Sequence, residues 1–247
     1  MIKFFRKIRQ KLLQQNKVGS YLKYAIGEIF LLVIGILIAL QINNANEAYK
    51  ARQSERVVLN NLVQDLQADS LSYRENLASL VKINDLHQAL YEIGVKGMNS
   101  EIENPNLIRF MIYYNPIAIN NDPSIASKIT SEAIRKEITT YARYLKDLDD
   151  AYLQFSDLVE KRIRVYLADK KVHQLSNWFD NKAFKTKGEI SIDFIDNPDL
   201  SQLSKTPEFQ QLILEASIKS KNTEFNLETV LIQNEKLKEL IQKELKQ

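Results

Sequence analysis

The chain has 247 residues, of which 45% are hydrophobic and 26% charged, with a formal net charge of +3. That composition suits one or two folded domains. The absence of Cys excludes disulfide frameworks, thiolate metal sites and Cys nucleophiles. With only 6 Gly and 5 Pro, the chain is too poor in turn formers for a many-stranded β protein.

The charge is unevenly placed. Residues 1–23 hold seven basic residues, Lys3, Arg6, Lys7, Arg9, Lys11, Lys17 and Lys23, and no acidic one, while residues 43–247 hold 27 basic and 30 acidic residues. A body of slightly negative charge has no bulk attraction for phosphate backbones, so a nucleic-acid partner is not expected. Residues 1–13 place Met1, Phe5, Ile8 and Leu12 on one helical face and Lys3, Lys7 and Lys11 away from it. Such a helix lies in anionic headgroups, and Lys3, Arg6, Lys7, Arg9 and Lys11 are the expected inner-leaflet contacts. Docking to a cytoplasmic partner is the alternative use of this helix. Gly19 and Ser20 form an expected hinge after it.

Residues 29–40 are an unbroken apolar run, and residues 24–42 carry a single charge, Glu28. Nineteen helical residues reach roughly 28 Å, enough for a bilayer core of about 30 Å. Tyr21 and Tyr24 sit where an interfacial aromatic belt belongs. The basic N-terminal flank places the N-terminus in the cytoplasm and the body outside, which is the periplasm in a Gram-negative envelope. A cleaved signal peptide is the competing reading, but residues 41–47 offer no Ala-x-Ala site. Within the span, Glu28 can snorkel to the interface, pair with another membrane helix, or relay protons. Gly27, Gly35 and Ala39 share a helix face, and Gly35-x-x-x-Ala39 has the small-residue spacing of a helix-packing site, although such residues are also common in membrane helices.

The segments MIKFFRKIRQKLL, YAIGEI and IGILIALQINN resemble an uncharacterised family of single-pass bacterial proteins, domain-of-unknown-function family six-zero-nine-zero. The resemblance is specific over residues 1–47 and departs at Ala45, where the family usually has Trp. It implies a location and an architecture, not a chemistry.

Beyond the span, Gly and Pro are absent from residues 36–93, 124–187 and 208–247. These breaker-free runs predict long helices near 44–95, 131–172 and 206–246, with joints at 96–130 and 173–205. The first helix can continue unbroken from the membrane helix. Leu59, Leu66, Tyr73 and Leu80 recur every seven residues, and His87 continues their row, predicted at the bundle edge. Ile134, Ile138, Tyr141, Leu145, Leu148, Tyr152, Phe155 and Val159 form a heptad stripe that breaks at Arg162. Leu227, Val230, Leu237 and Ile241 form a third stripe that includes Asn234. Thr206-Pro207, Asn104-Pro105 and Asp122-Pro123 are helix-start signals, and residues 189–195 alternate like a short strand or an extended strap. The expected fold is therefore all-α: residues 1–23 interfacial, 24–42 transmembrane, and 43–247 an extracytoplasmic antiparallel bundle of about three long helices.

No motif for catalysis is present. His173 follows Lys170-Lys171 near a helix end, where a cation is favourable. No His pair has zinc-ligand spacing. Asp193, Asp196 and Asp199 lack the density and glycine turn of a calcium loop, and Asp147, Asp149 and Asp150 read as a solvated helix face. No cofactor is expected. The sequence is that of a non-catalytic interaction or scaffold module of the inner membrane. Its expected contacts are anionic lipids and a protein partner or a second copy. A ligand-sensing bundle signalling through a membrane partner is the alternative.

Overall fold

A computed structural model describes residues 18–112, 115–180 and 194–246. The tail residues Lys3, Arg6, Lys7, Arg9 and Lys11, and most of the alternating segment 189–195, lie outside the described residues. The described residues are helical, with no strand among them. In chain order the α-helices are α1 (Val18–Gly94), α2 (Glu132–Leu158), α3 (Arg164–Asp169), α4 (Leu175–Phe179), α5 (Asn197–Leu203) and α6 (Pro207–Leu245). The chain divides into two compact units, Met1–Val57 and Val58–Gln247, and α1 contributes to both.

In the first unit, α1 is an uninterrupted helix from Val18. Gly19 and Ser20 therefore lie inside its first turn, and the expected hinge is not there. The apolar side chains Ile29, Phe30, Leu31, Leu32, Ile36, Leu37, Ile38, Leu40 and Ile42 are all exposed. This stretch is long and apolar enough to cross a membrane.

In the second unit the three predicted stripes form one core. Leu59, Leu62, Leu66, Tyr73, Leu80 and Ile83 of α1 are buried with Ile134, Ile138, Tyr141, Leu145, Leu148 and Phe155 of α2 and with Leu227, Val230, Leu237 and Ile241 of α6. Heptad spacing puts these residues on one face of each helix, and burying the three faces together is the main favourable term in the fold.

Cross-helix hydrogen bonds fix the directions. Ser70, Asn84 and Gly94 of α1 meet Asn234, Ser220 and Gln210 of α6 in reverse order. Tyr141, Ala151 and Gln154 of α2 meet Asn234, Thr223 and Lys219 of α6, also in reverse order. Both helices are antiparallel to α6, so α1 and α2 are parallel. This corrects the expectation of an antiparallel bundle throughout. The cause is the joint between α1 and α2, which runs back along the bundle rather than turning at its end. Ser100 donates to Glu92 near the end of α1. Farther on, Asp69, about three turns past the start of the buried row, accepts from the backbone amides of Ile117 and Ala118 at 2.8 and 3.0 Å. Two 3-10 turns lie in this crossover. At Pro105–Arg109, Asn104 caps with its side chain, accepting from the Asn106 amide at 3.0 Å. Before Ile125–Lys128, Asp122 accepts from the Ser124 amide and hydroxyl.

The stripe interruption at Arg162 also has a structural cause. A π-helical turn at Val159–Ile163 joins α2 to α3. Its wider turn absorbs one extra residue, so Ile163 and Leu167 reach the core while Arg162 faces solvent. At the other start signal, Pro207 occupies the first turn of α6, but Thr206 makes no side-chain cap. Its hydroxyl donates instead to the Leu203 carbonyl at 2.8 Å.

The end of α1 packs backbone to backbone. A Cβ on Gly94 would lie 1.9 Å from the Ser204 carbonyl oxygen and 2.5 Å from its carbon. Neither atom belongs to a flexible side chain, so the main chain itself must move. We expect Gly94→Ala to lose about 1–3 kcal/mol of stability by overpacking, read as a lower denaturant midpoint in chemical unfolding.

Candidate functional site

Two regions carry polar groups that a simple apolar bundle does not need. The span candidates come first. Gly27 and Gly35 have nothing within 4 Å of where a Cβ would stand, and Ala39 is exposed. Glu28 is half-buried and engaged in a polar or charged interaction. All four belong to α1, and no other part of the described chain covers Gly27 or Gly35.

The second region is the interior of the bundle. Its first polar layer joins α1, α2 and α6. Ser70 donates to Asn234 Oδ1 at 2.6 Å, Asn234 Nδ2 donates to the Tyr141 hydroxyl at 3.1 Å, and the Tyr141 and Tyr73 hydroxyls are 3.0 Å apart. Tyr73 in turn donates to the Asp69 carboxylate, the group that holds the crossover. A buried polar group is tolerated where every member is paired. Here the Asn234 amide and the two hydroxyls form one chain ending on a carboxylate. Asn234 sits in the α6 stripe, and a single buried Asn in such a stripe fixes helix register. Burial raises the Asp69 carboxyl above its ordinary value, partly offset by the amides of Ile117 and Ala118. Burial likewise pushes the Tyr141 phenol up.

About four turns farther along α1, the row of Leu59, Leu66, Tyr73 and Leu80 ends on His87. Only 3% of His87 is exposed, so it is a core residue and not a bundle-edge one. The neighbours of His87 are polar, and this is why burial is tolerated. Glu224 Oε2 accepts from Asn84 Nδ2 at 2.6 Å, which turns Asn84 Oδ1 away as an acceptor. Ser220 donates to that oxygen at 2.5 Å. With its hydrogen so committed, Ser220 Oγ offers a lone pair to His87 Nδ1, 3.4 Å away. The chain from Glu224 thereby selects the Nδ1–H form of the ring. Burial, followed by the nearby charge of Lys221, lowers the His87 pKa to about 4, so the ring is neutral at pH 7.

His87 lines a cavity of about 190 Å3 between the end of α1 and the first half of α6. Leu90, Ile213 and Leu214 supply apolar wall, and Asn84, Gln210 and Lys221 supply polar groups. The short side chains of Ser217 on α6 and of Ser204 before it leave this space open. The sequence marks His87 through its place in the heptad row. It does not mark Asn84, Ser220 or Lys221, which become partners only once the α1–α6 register is known.

His173 lies beyond α3, where burial, followed by the nearby charge of Arg109, lowers its pKa. A cation there is disfavoured, contrary to the helix-end expectation. Asp199 accepts from Gln174 at 3.4 Å, and Asp147, Asp149 and Asp150 are exposed. Among the described residues no group of three His, Asp or Glu side chains could hold a metal ion.

A model described as a family of unknown function (DUF6090) matches residues 28–104, from Glu28 through the rest of α1 to the start of the crossover. The match agrees with the resemblance read from the N-terminal motifs. No curated protein and no solved structure matches the chain.

Proposed function

We propose that this chain is a single-pass inner-membrane protein whose helical body works outside the cytoplasm as a non-catalytic interaction or scaffold module. One observation carries the reading: the apolar stretch of α1 from Ile29 to Ile42 is exposed, and no described residue of its own unit covers it. A continuous apolar surface of that extent requires a bilayer or a protein partner to cover it. The basic tail before the span supports a cytoplasmic N-terminus and a periplasmic body, with anionic lipid at the inner leaflet. The open face at Gly27, Gly35 and Ala39 supports lateral contact with a second copy or another membrane helix.

The absence of native Cys makes the topology directly testable. In spheroplasts, a membrane-impermeant maleimide is expected to label Ser54→Cys and to leave Lys11→Cys unlabelled until the membrane is permeabilised. The reverse pattern would overturn the orientation. Full-length mass of the membrane-extracted protein, 28.6 kDa, is the expected sign that the span is retained rather than cleaved. Crosslinking in intact membranes is expected to recover a second copy or a distinct protein, and recovery of neither counts against a scaffold role.

The His87 cavity favours a second reading, a ligand-sensing bundle. Such a sensor would signal through a membrane partner.

A further inference from the structure

The cavity at His87 has a definable chemistry. Its lining contains one formally charged residue, Lys221, which is cationic, exposed at the mouth and in no ion pair among the described residues. The carboxylate of Glu224, one turn along α6 from Lys221, is occupied by Asn84 and does not line the cavity. The side-chain amides of Gln88 and Gln210 donate to Glu92 and to the backbone of Gly94 and Ser204. His87 is different. Its Nδ1–H is used on Ser220, and Nε2 has no partner among the described residues. A neutral imidazole in that tautomer presents Nε2 as a hydrogen-bond acceptor.

Nε2 is not sealed off from solvent, so a donor that enters the space lined by His87 can reach it. Leu at this position would continue the Leu59–Leu80 row and fill the space. A volume of 190 Å3 exceeds the roughly 150 Å3 of an apolar cavity that holds benzene. It accommodates a molecule of about ten non-hydrogen atoms on that scale.

The geometry points to this cavity as a binding site for a small hydroxy acid with an apolar body. The ligand hydroxyl donates to His87 Nε2, the body lies against Leu90, Ile213 and Leu214, and the carboxylate pairs with Lys221 at the mouth. The site goes beyond the scaffold reading and does not depend on which side of the membrane the body occupies.

The test uses the full chain in lipid nanodiscs and 4-hydroxybenzoate as the probe, followed by calorimetry and by the 15N shift of His87 Nε2. Saturable binding with a shift at Nε2 is expected. Benzoate, which lacks the donor, and phenol, which lacks the anion, are each expected to bind about tenfold more weakly, the loss of one good polar contact. Lys221→Gln should weaken the probe by a similar factor. His87→Leu should abolish binding while leaving the helical circular dichroism unchanged. Leu214→Trp, at an exposed wall position, plugs the mouth without touching the core and should also abolish binding. No saturable binding up to about 10 mM, the weak end of specific affinity, would overturn the proposal. So would binding that survives both His87→Leu and Leu214→Trp, or benzoate binding as tightly as 4-hydroxybenzoate. Failure of the topology experiment leaves these readouts unaffected, so the two proposals fail separately.

Discussion

Acidification from pH 7 to pH 4 is expected to cost the protein about 3 kcal/mol more stability than it costs the His87→Leu variant. The folded-state pKa of His87 is lowered to about 4 by burial and by Lys221, against about 6.5 in an unfolded chain. Between those values the unfolded state binds a proton that the folded state refuses. The contribution is therefore fully present above pH 6.5 and is lost as pH falls toward 4. Asp69 acts with the opposite sign, because its carboxyl is raised in the fold and takes up its proton more readily there. Asp69 is common to both proteins, so the comparison with His87→Leu cancels its contribution. Urea unfolding of both proteins at several pH values measures the difference. Parallel stability profiles would remove His87 as an acid-sensitive core residue. At pH 7 the Leu variant is expected to be at least as stable as the parent, since Leu continues the row and Ser220 keeps Asn84 as its partner.

Asp69→Ala is the second large effect. It removes the acceptor for the Ile117 and Ala118 amides together with the partner of the Tyr73 hydroxyl. Each buried donor left without an acceptor costs about 1–3 kcal/mol, and removing a desolvated carboxylate returns part of that, so a net loss of about 2–4 kcal/mol is expected. The damage should be local before it is global. Limited proteolysis is expected to cut the crossover near residues 115–125 under conditions where α2 and α6 remain intact. Asp69→Asn, which keeps one acceptor oxygen, should recover about half of the loss. Equal protease resistance of all three proteins would show that the crossover is held by its apolar contacts, Ile112, Ala118 and Ile125, and not by Asp69.

The helical stripes were legible because heptad spacing is a local property. Leu59 to Leu80, Ile134 to Val159 and Leu227 to Ile241 need only their own spacing to reveal a buried face. The interruption at Arg162 was also visible, as a break whose resolution by a π turn required the backbone. Helix direction was not legible. A stripe says which face is buried and nothing about the sense of the chain, and a joint of some thirty-five residues between α1 and α2 can close either arrangement. The same gap hid the candidate site. His87 looked peripheral because its row ran toward the end of a helix, whereas its burial depends on Ser220 and Asn84, brought together across 136 residues by an α1–α6 register that no local pattern encodes. Thr206 had the identity of a cap, but the nearby Leu203 carbonyl offered its hydroxyl a competing acceptor.

The parallel placement of α1 and α2 also dictates an order of events during synthesis. α6, the partner that pairs with both helices, is the last to leave the ribosome, some 110 residues or more after α1 is complete. Throughout that interval Leu59, Leu66, Leu80 and their neighbours have no α6 surface to cover them. A nascent chain in this state is prone to association with other exposed apolar surfaces. The bundle therefore closes from its C-terminus, and a chain stopped short of Asn234 would carry two finished helices with no means of registering them.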